Sequence, residues 1–352
     1  MATGKGNLGK NLALLVLGAG WLATWGAAAC DSGDGSQDVQ VGAAPRMDHR
    51  PVLEEVDQIP EGYVATPNGV LMHGDCLHQI PDGAVVHADW SVTLNGAKIA
   101  QYGTCTHKKY RYRHKSSTLS LPGPDSTGYV FFPFEESFET MFTHMNTGSW
   151  IVPPNPVGNH GQVLYFFPSL ESDTAILQPV LQWGQICWAG GRCAGTPTGW
   201  TYANWWVTSS DPQEGPPAFV SISKPASAGD NFYATFDLGP VFWYIQVNDT
   251  DKGTSTLSSI ETDSNPFHIA SGGALEAYGV TTCSDFPSGS SGWTYFSRPV
   301  LYQGPNYWTR DIVLNNWSSI NWTTSGYLDL GEPVCNFAGS NVDAVGNTTI
   351  DY

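Results

Sequence analysis

Ala175-Ile176-Leu177-Gln178-Pro179-Val180-Leu181-Gln182-Trp183-Gly184 is the stretch whose pattern decides the fold. In an extended chain successive side chains leave on opposite faces, so Leu177, Leu181 and Trp183 share one face while Gln178, Val180 and Gln182 share the other. The first set is apolar and reads as core. The second carries two amides, on a side that is either solvated or turned toward a ligand. Further apolar or alternating runs lie at 85–94, 128–134, 162–167, 200–207, 219–223, 231–238, 242–247, 274–280 and 295–302. Each is bounded by Gly, Pro, Asn or Ser, with a spacing of about ten to fifteen residues, as expected of an all-β chain. So many short strands imply a sandwich.

Composition agrees. Only 13% of residues are charged, against 39 Gly, 24 Pro, 14 Trp and 15 Tyr, a mixture that suits strands and turns. The net charge is −17, and a phosphate backbone needs a positive field, so nucleic acid is excluded as an expected partner.

Lys5 and Lys10 precede an apolar run at 12–25 that leads into Ala27-Ala28-Ala29-Cys30. This is the form of an export signal, 1–29, and the run is too short and too rich in Gly and Ala for a good membrane span. Ala27 and Ala29 suit an ordinary signal peptidase, while Ala-Ala-Cys suits a lipoprotein signal with Cys30 as the acylated residue; we take the lipoprotein reading. Residues 30–58 begin with Ser, Gly, Asp and Gln that have almost nothing to bury, and read as a flexible tether. The expected location is therefore the cell envelope, lipid-anchored or secreted. Leu121-Pro122-Gly123-Pro124-Asp125 cannot continue a central strand, so we divide the rest into a small β-rich unit, 59–125, and a main sandwich, 126–352.

There are seven cysteines. With Cys30 carrying lipid, the others can pair in an oxidising compartment, and spacing suggests Cys76 with Cys105, Cys187 with Cys193, and Cys283 with Cys335. No Cys-x-x-Cys or His-Glu-x-x-His spacing occurs, so no metal site and no cofactor are expected.

Trp150-Ile151-Val152-Pro153, then 163–171, then the 175–184 strand together resemble the eqolisin family. Tyr202-Ala203-Asn204-Trp205 looks like that family's Tyr-x-x-Trp strand and Gly229-Asp230 like its Gly-Asp turn, so the likeness spans about residues 150–276. It implies a concanavalin A-like jelly roll and acid peptide hydrolysis, with Gln178 as the catalytic glutamine and Glu276, in Ala274-Leu275-Glu276-Ala277-Tyr278, as the carboxylate. In such a pair the amide donates to a developing oxyanion and the carboxylate accepts a proton from water. Without the resemblance, Gln178 and Gln182 read as the solvated side of a half-buried strand, and Glu276 as a carboxylate either raised in pKa by apolar neighbours or exposed at a sheet edge.

Gln182, Trp205, Trp206 and Tyr278 are the expected substrate contacts, since adjacent rings in a strand point to opposite faces and one of Trp205 and Trp206 could serve as a platform. The competing function is binding of a carbohydrate or peptidic polymer without catalysis. Glu135 and Glu136 are adjacent, so they leave on opposite faces and do not form the facing pair of a glycosidase. The basic stretch His107-Lys108-Lys109-Tyr110-Arg111-Tyr112-Arg113-His114-Lys115 has three readings: a charged edge strand, a contact with anionic lipid near the tether, or a cover lying on the acidic sandwich, as the basic pro-segments of the resembled family do.

Overall fold

The strands found in a computed structural model follow the alternation of the sequence closely. The structure describes residues 53–56, 58–67, 69–112, 134–136, 141–172, 174–208, 215–261, 267–280, 282–287, 293–297, 300–304, 311–312, 339–342 and 347–351. The signal segment, Cys30 and Cys335 lie outside these residues, as does all of the chain from 113 to 133. The described residues belong to one compact unit.

The first strands are short: β1 (Glu54–Val56), β2 (Tyr63–Ala65), β3 (Val70–His73), β4 (Leu77–Ile80), β5 (Val85–Val86), β6 (Ser91–Leu94), β7 (Ala97–Gln101) and β8 (Tyr110–Tyr112). After them come β9 (Phe134–Glu136), β10 (Met141–Ile151), β11 (Val163–Glu171), β12 (Ala175–Trp188), β13 (Arg192–Thr208), β14 (Ala218–Ser221), β15 (Lys224–Ala226), β16 (Asn231–Leu238), β17 (Phe242–Asp249), β18 (Thr254–Glu261) and β19 (Ile269–Tyr278). Five more close the chain: β20 (Trp293–Phe296), β21 (Val300–Gly304), β22 (Asp311–Ile312), β23 (Gly339–Val342) and β24 (Thr348–Asp351). Among the described residues the helical elements are short 3-10 turns.

Two large sheets stack. One runs β4-β14-β13-β12-β11-β19-β9, the other β23-β24-β20-β10-β16-β17-β18-β5-β6-β7. Their facing sides interlock as alternation demands: Leu177, Leu170, Trp206 and Phe219 of the first sheet pack with Phe142, Phe236, Trp243 and Ile245 of the second. Leu164, Phe166, Leu181, Trp183 and Trp200 meet Trp150, Phe232 and Val247 in the same way. The expected all-β sandwich is therefore the observed fold. Asn204 lies inside this core, and its amide nitrogen donates to the backbone oxygens of Ile245 and Thr256, tying the sheets together.

A third, four-stranded sheet, β1-β8-β3-β2, lies on the outer side of the first. Leu53, Val64, Ala65, Val70, Leu71 and Met72 pack on Val163, Tyr165, Phe167, Ile176, Val180 and Trp205. The face that carries Gln178 is thus covered by the chain's own N-terminal strands. Part of the N-terminal segment joins the sandwich instead. β4 pairs in parallel with β14, and β5 with β18, so 77–101 extend both sandwich sheets.

Disulfides join Cys76 to Cys105 and Cys187 to Cys193, as expected from spacing. The remaining expected pair, Cys283 with Cys335, lies outside the described residues in its second member. The second bridge sits at the end of the β12/β13 hairpin, which bends at Gly184. There the register shifts and φ is +83°, and a Cβ would strike the Gln162 carbonyl oxygen.

Candidate functional site

Register across the first sheet puts its outward side chains into rows. Gln182, Tyr165 and Glu276 form one row, because β11 pairs Tyr165 with Gln182 on one side and with Glu276 on the other. Gln178 belongs to another row. It stands opposite Trp205, and by the β11–β12 register it is level with Ser169, which pairs in turn with Ser271.

Gln178 and Glu276 are therefore separated by four residues along the strands and by two strands across. At about 3.3 Å per residue and about 4.8 Å per strand this is a gap of about 16 Å. The two residues expected to act as a pair share a face but do not converge. The reason is geometric: each strand's alternation chooses the face, while the register between strands chooses the row.

At Glu276 the surroundings are aromatic. The carboxylate is buried and accepts a hydrogen bond of 3.1 Å from the Tyr278 hydroxyl. Burial, with the Glu276 carboxylate second, holds the Tyr278 and Tyr165 phenols well above their ordinary pKa, so both remain protonated donors. Tyr165 donates to the Ala65 carbonyl of the covering sheet at 3.0 Å. A cavity of about 220 Å³ lies beside this row, lined by Tyr63, Ala65, Val163, Ile186 and Tyr278 among others.

Around Gln178 the situation is different. Its side chain is 0% exposed, and neither the amide oxygen nor the amide nitrogen has a hydrogen-bond partner. The hydroxyl of Ser271, in the same row, is also buried without a hydrogen bond. Ser169 donates to Glu171 Oε1 at 3.0 Å, and Glu171 pairs in register with Ile176. That sets Glu171 on the diagonal from Gln178, with about 7–8 Å between backbones. Residues 163–171 carried only fold information in the sequence, and neither Ser169 nor Glu171 stood out there. The carboxylate near Gln178 is legible only once β11 and β12 are in register.

The other expected contacts take structural positions. Gln182 Nε2 donates to the carbonyls of Gly184 and Ala194, each at 3.0 Å, so its amide clamps the hairpin bend instead of facing a ligand. Trp206 points into the sandwich, stacked on Phe219, and Trp205 is buried under the covering sheet. The exposed aromatic platform expected from one of these two rings does not form, because both faces of the strand are covered.

The basic stretch is split by its contacts. Lys108 pairs with Glu54, and Tyr110 packs edge-on against Tyr63. Lys109, 1% exposed, reaches under the cover to donate to Thr208 Oγ1 at 3.0 Å. Residues 113–115 lie outside the described residues.

No protein-family model and no curated protein matches the chain. Among solved structures, scytalido-glutamic peptidase with a peptide-based transition-state analogue is 12% identical, with a TM-score of 0.38 and coverage of 65% of this chain and 98% of that one. SCP-B, a member of the eqolisin family in complex with the tripeptide Ala-Ile-His, gives 12% identity, a TM-score of 0.37 and the same coverage. The CBM2 module of an evolved Dit protein from Lactobacillus casei BL23 phage J-1 gives 13% identity and a TM-score of 0.21, covering 65% and 99%. Likeness at this level is distant and says nothing about chemistry. Among the described residues, no helix is long and apolar enough to cross a membrane.

Proposed function

We propose that the chain is an exported hydrolase of the glutamic-peptidase type, tethered through Cys30, kept closed by its N-terminal sheet and acting on peptide or denatured protein. The observation that carries this reading is the unpartnered, fully buried Gln178 amide. Leaving such a group unpaired costs about 1–3 kcal/mol, and its retention calls for a role beyond packing. As substrate is attacked, the amide N–H donates to the carbonyl oxygen as it turns negative. A carboxylate takes one proton from water while the water oxygen bonds to the carbonyl carbon, then returns it to the leaving amine as the C–N bond breaks. Glu171 is the carboxylate nearer in register, and Glu276 is the second candidate.

The test uses the mature chain with denatured protein at pH about 3–5, where an ordinary carboxylate titrates. Gln178→Ala and Glu171→Gln should each slow cleavage by at least about a hundredfold, with a smaller effect for Glu276→Gln. A folded protein that stays inert throughout that range, before and after limited proteolysis of the cover, would refute catalysis. Binding of a polymer without hydrolysis is the second reading, favoured by the separation of Gln178 from Glu276.

A further inference from the structure

Next to the Cys76–Cys105 disulfide, three side chains converge that have no part in the hydrolase reading. His73 ends β3, Asp75 lies in the 3-10 turn Gly74–Cys76, and His107 precedes β8. Asp75 Oδ2 is 3.5 Å from His73 Nδ1 and 3.6 Å from His107 Nε2, and one ligand atom of each residue lies within 4.8 Å of the other two. The two imidazoles are stacked, with centroids 3.7 Å apart and planes at 11°.

We propose that His73, Asp75 and His107 form a binding site for a borderline divalent cation of the Zn²⁺ class. The spacing is the first reason. With metal–ligand bonds of about 2.1 Å, two ligands of a tetrahedral ion stand about 3.4 Å apart, close to both Asp75 distances. Donor chemistry is the second: two imidazoles and one carboxylate suit Zn²⁺ and its neighbours, whereas Ca²⁺ and Mg²⁺ prefer all-oxygen sets.

Proximity imposed by the disulfide is the third reason. Asp75 adjoins Cys76, and His107 is two residues past Cys105, so the disulfide, with its Cα atoms 5.2 Å apart, brings together ligands remote in sequence. Asp75 N–H donates to His73 Nδ1 at 3.3 Å, a long contact at an exposed turn that the ion would replace at that nitrogen's lone pair. The His73 ring also lies over Gly62, where a Cβ would come within 2.7 Å of Nε2. Asp75 is 60% exposed, so the fourth position faces solvent. On binding, the rings open from their stack until both lone pairs aim at one point. The ion then pins β3 and the start of β8, the two parts of the covering sheet, to each other.

The test is titration of the untagged mature chain with Zn²⁺ against a chromogenic chelator, with thermal unfolding in parallel. One equivalent should bind with a dissociation constant in the micromolar range or below, and the thermal midpoint should rise with Zn²⁺ concentration as linkage requires. Asp75→Asn, a change at an exposed residue, should weaken binding at least about tenfold. His107→Ala should abolish the stoichiometric site, while His160→Ala, at a histidine paired with Asp285, should leave it intact. Millimolar Mg²⁺ should not compete. No stoichiometric uptake, or uptake lost in Asp251→Asn and kept in Asp75→Asn, would overturn the proposal; the second outcome would move the ion to the Asp230, Asp249 and Asp251 cluster.

Discussion

Two glutamines on the same face of β12 should respond to the same substitution with opposite signs. Gln178 and Gln182 are both buried, at 0% and 2% exposed. Gln178 makes no hydrogen bond, whereas Gln182 donates to two backbone carbonyls. Methionine has nearly the length of glutamine without its polar atoms, so the change isolates the amide. Gln178→Met removes a buried polar group that has no hydrogen-bond partner in the protein, a cost of about 1–3 kcal/mol. The variant should therefore be more stable, by about 1–2 kcal/mol once imperfect packing is deducted. Gln182→Met withdraws both donors from the carbonyls of Gly184 and Ala194 at the hairpin bend, and should lose about 2–4 kcal/mol. Urea titrations at pH 7, disulfides intact and read by tryptophan fluorescence, give both values from the midpoint and slope. For a chain of this size each kcal/mol moves the thermal midpoint by about 1.5 °C. Destabilisation of more than about 1 kcal/mol in Gln178→Met would refute the reasoning, since it would mean that the amide has partners in solution.

His78 is held neutral, with its pKa lowered to about 4 by burial first and by the nearby Arg192 second. A histidine whose folded pKa lies below its unfolded value gives stability that is complete above about pH 6.5 and is lost as pH falls toward 4, here up to about 3 kcal/mol. His78→Phe keeps the stack on Tyr102 and should flatten the pH dependence of the urea midpoint in that window. Gly184→Ala combines a positive φ with a collision at the Gln162 carbonyl, and should lower stability by about 3 kcal/mol or more in the same assay. Replacing Cys76 and Cys105 by Ser opens a loop of 29 residues and should cost about 3.5 kcal/mol in the presence of chelator; for Cys187 and Cys193, separated by 6, the figure is about 2 kcal/mol. Cys30→Ala should abolish lipid labelling and shift the protein from the membrane fraction to the soluble one.

The faces of β12 were legible because alternation is local: Leu177, Leu181 and Trp183 had to go inward together, and they do. The two disulfides were legible from spacing. The row of each residue was not. Whether Gln178 meets Glu276 or Glu171 depends on how three strands slide past one another, and nothing within 175–184 or 274–278 encodes that slide. The cover was hidden for another reason. Val70, Leu71 and Met72 are all fully buried, so they show no alternation, and their strand is too short to stand out. The cation site had a usable signal that spacing rules passed over: His73, Asp75 and His107 flank two cysteines expected to pair.

The covering sheet is built from 54–73 and 110–112, and the chain between them belongs to the sandwich: β4 beside β14, and β5 beside β18. Excising everything up to residue 112 would therefore bare more than the Gln178 face. It would strip a neighbouring strand from each large sheet and leave unpaired N–H and C=O groups along β14 and β18, the kind of edge on which separate copies add strands and aggregate. A cover that stays attached, held by the Cys76–Cys105 bridge, avoids that hazard. The order of segments along the chain thus couples access to the covered Gln178 face with keeping the molecules apart from one another.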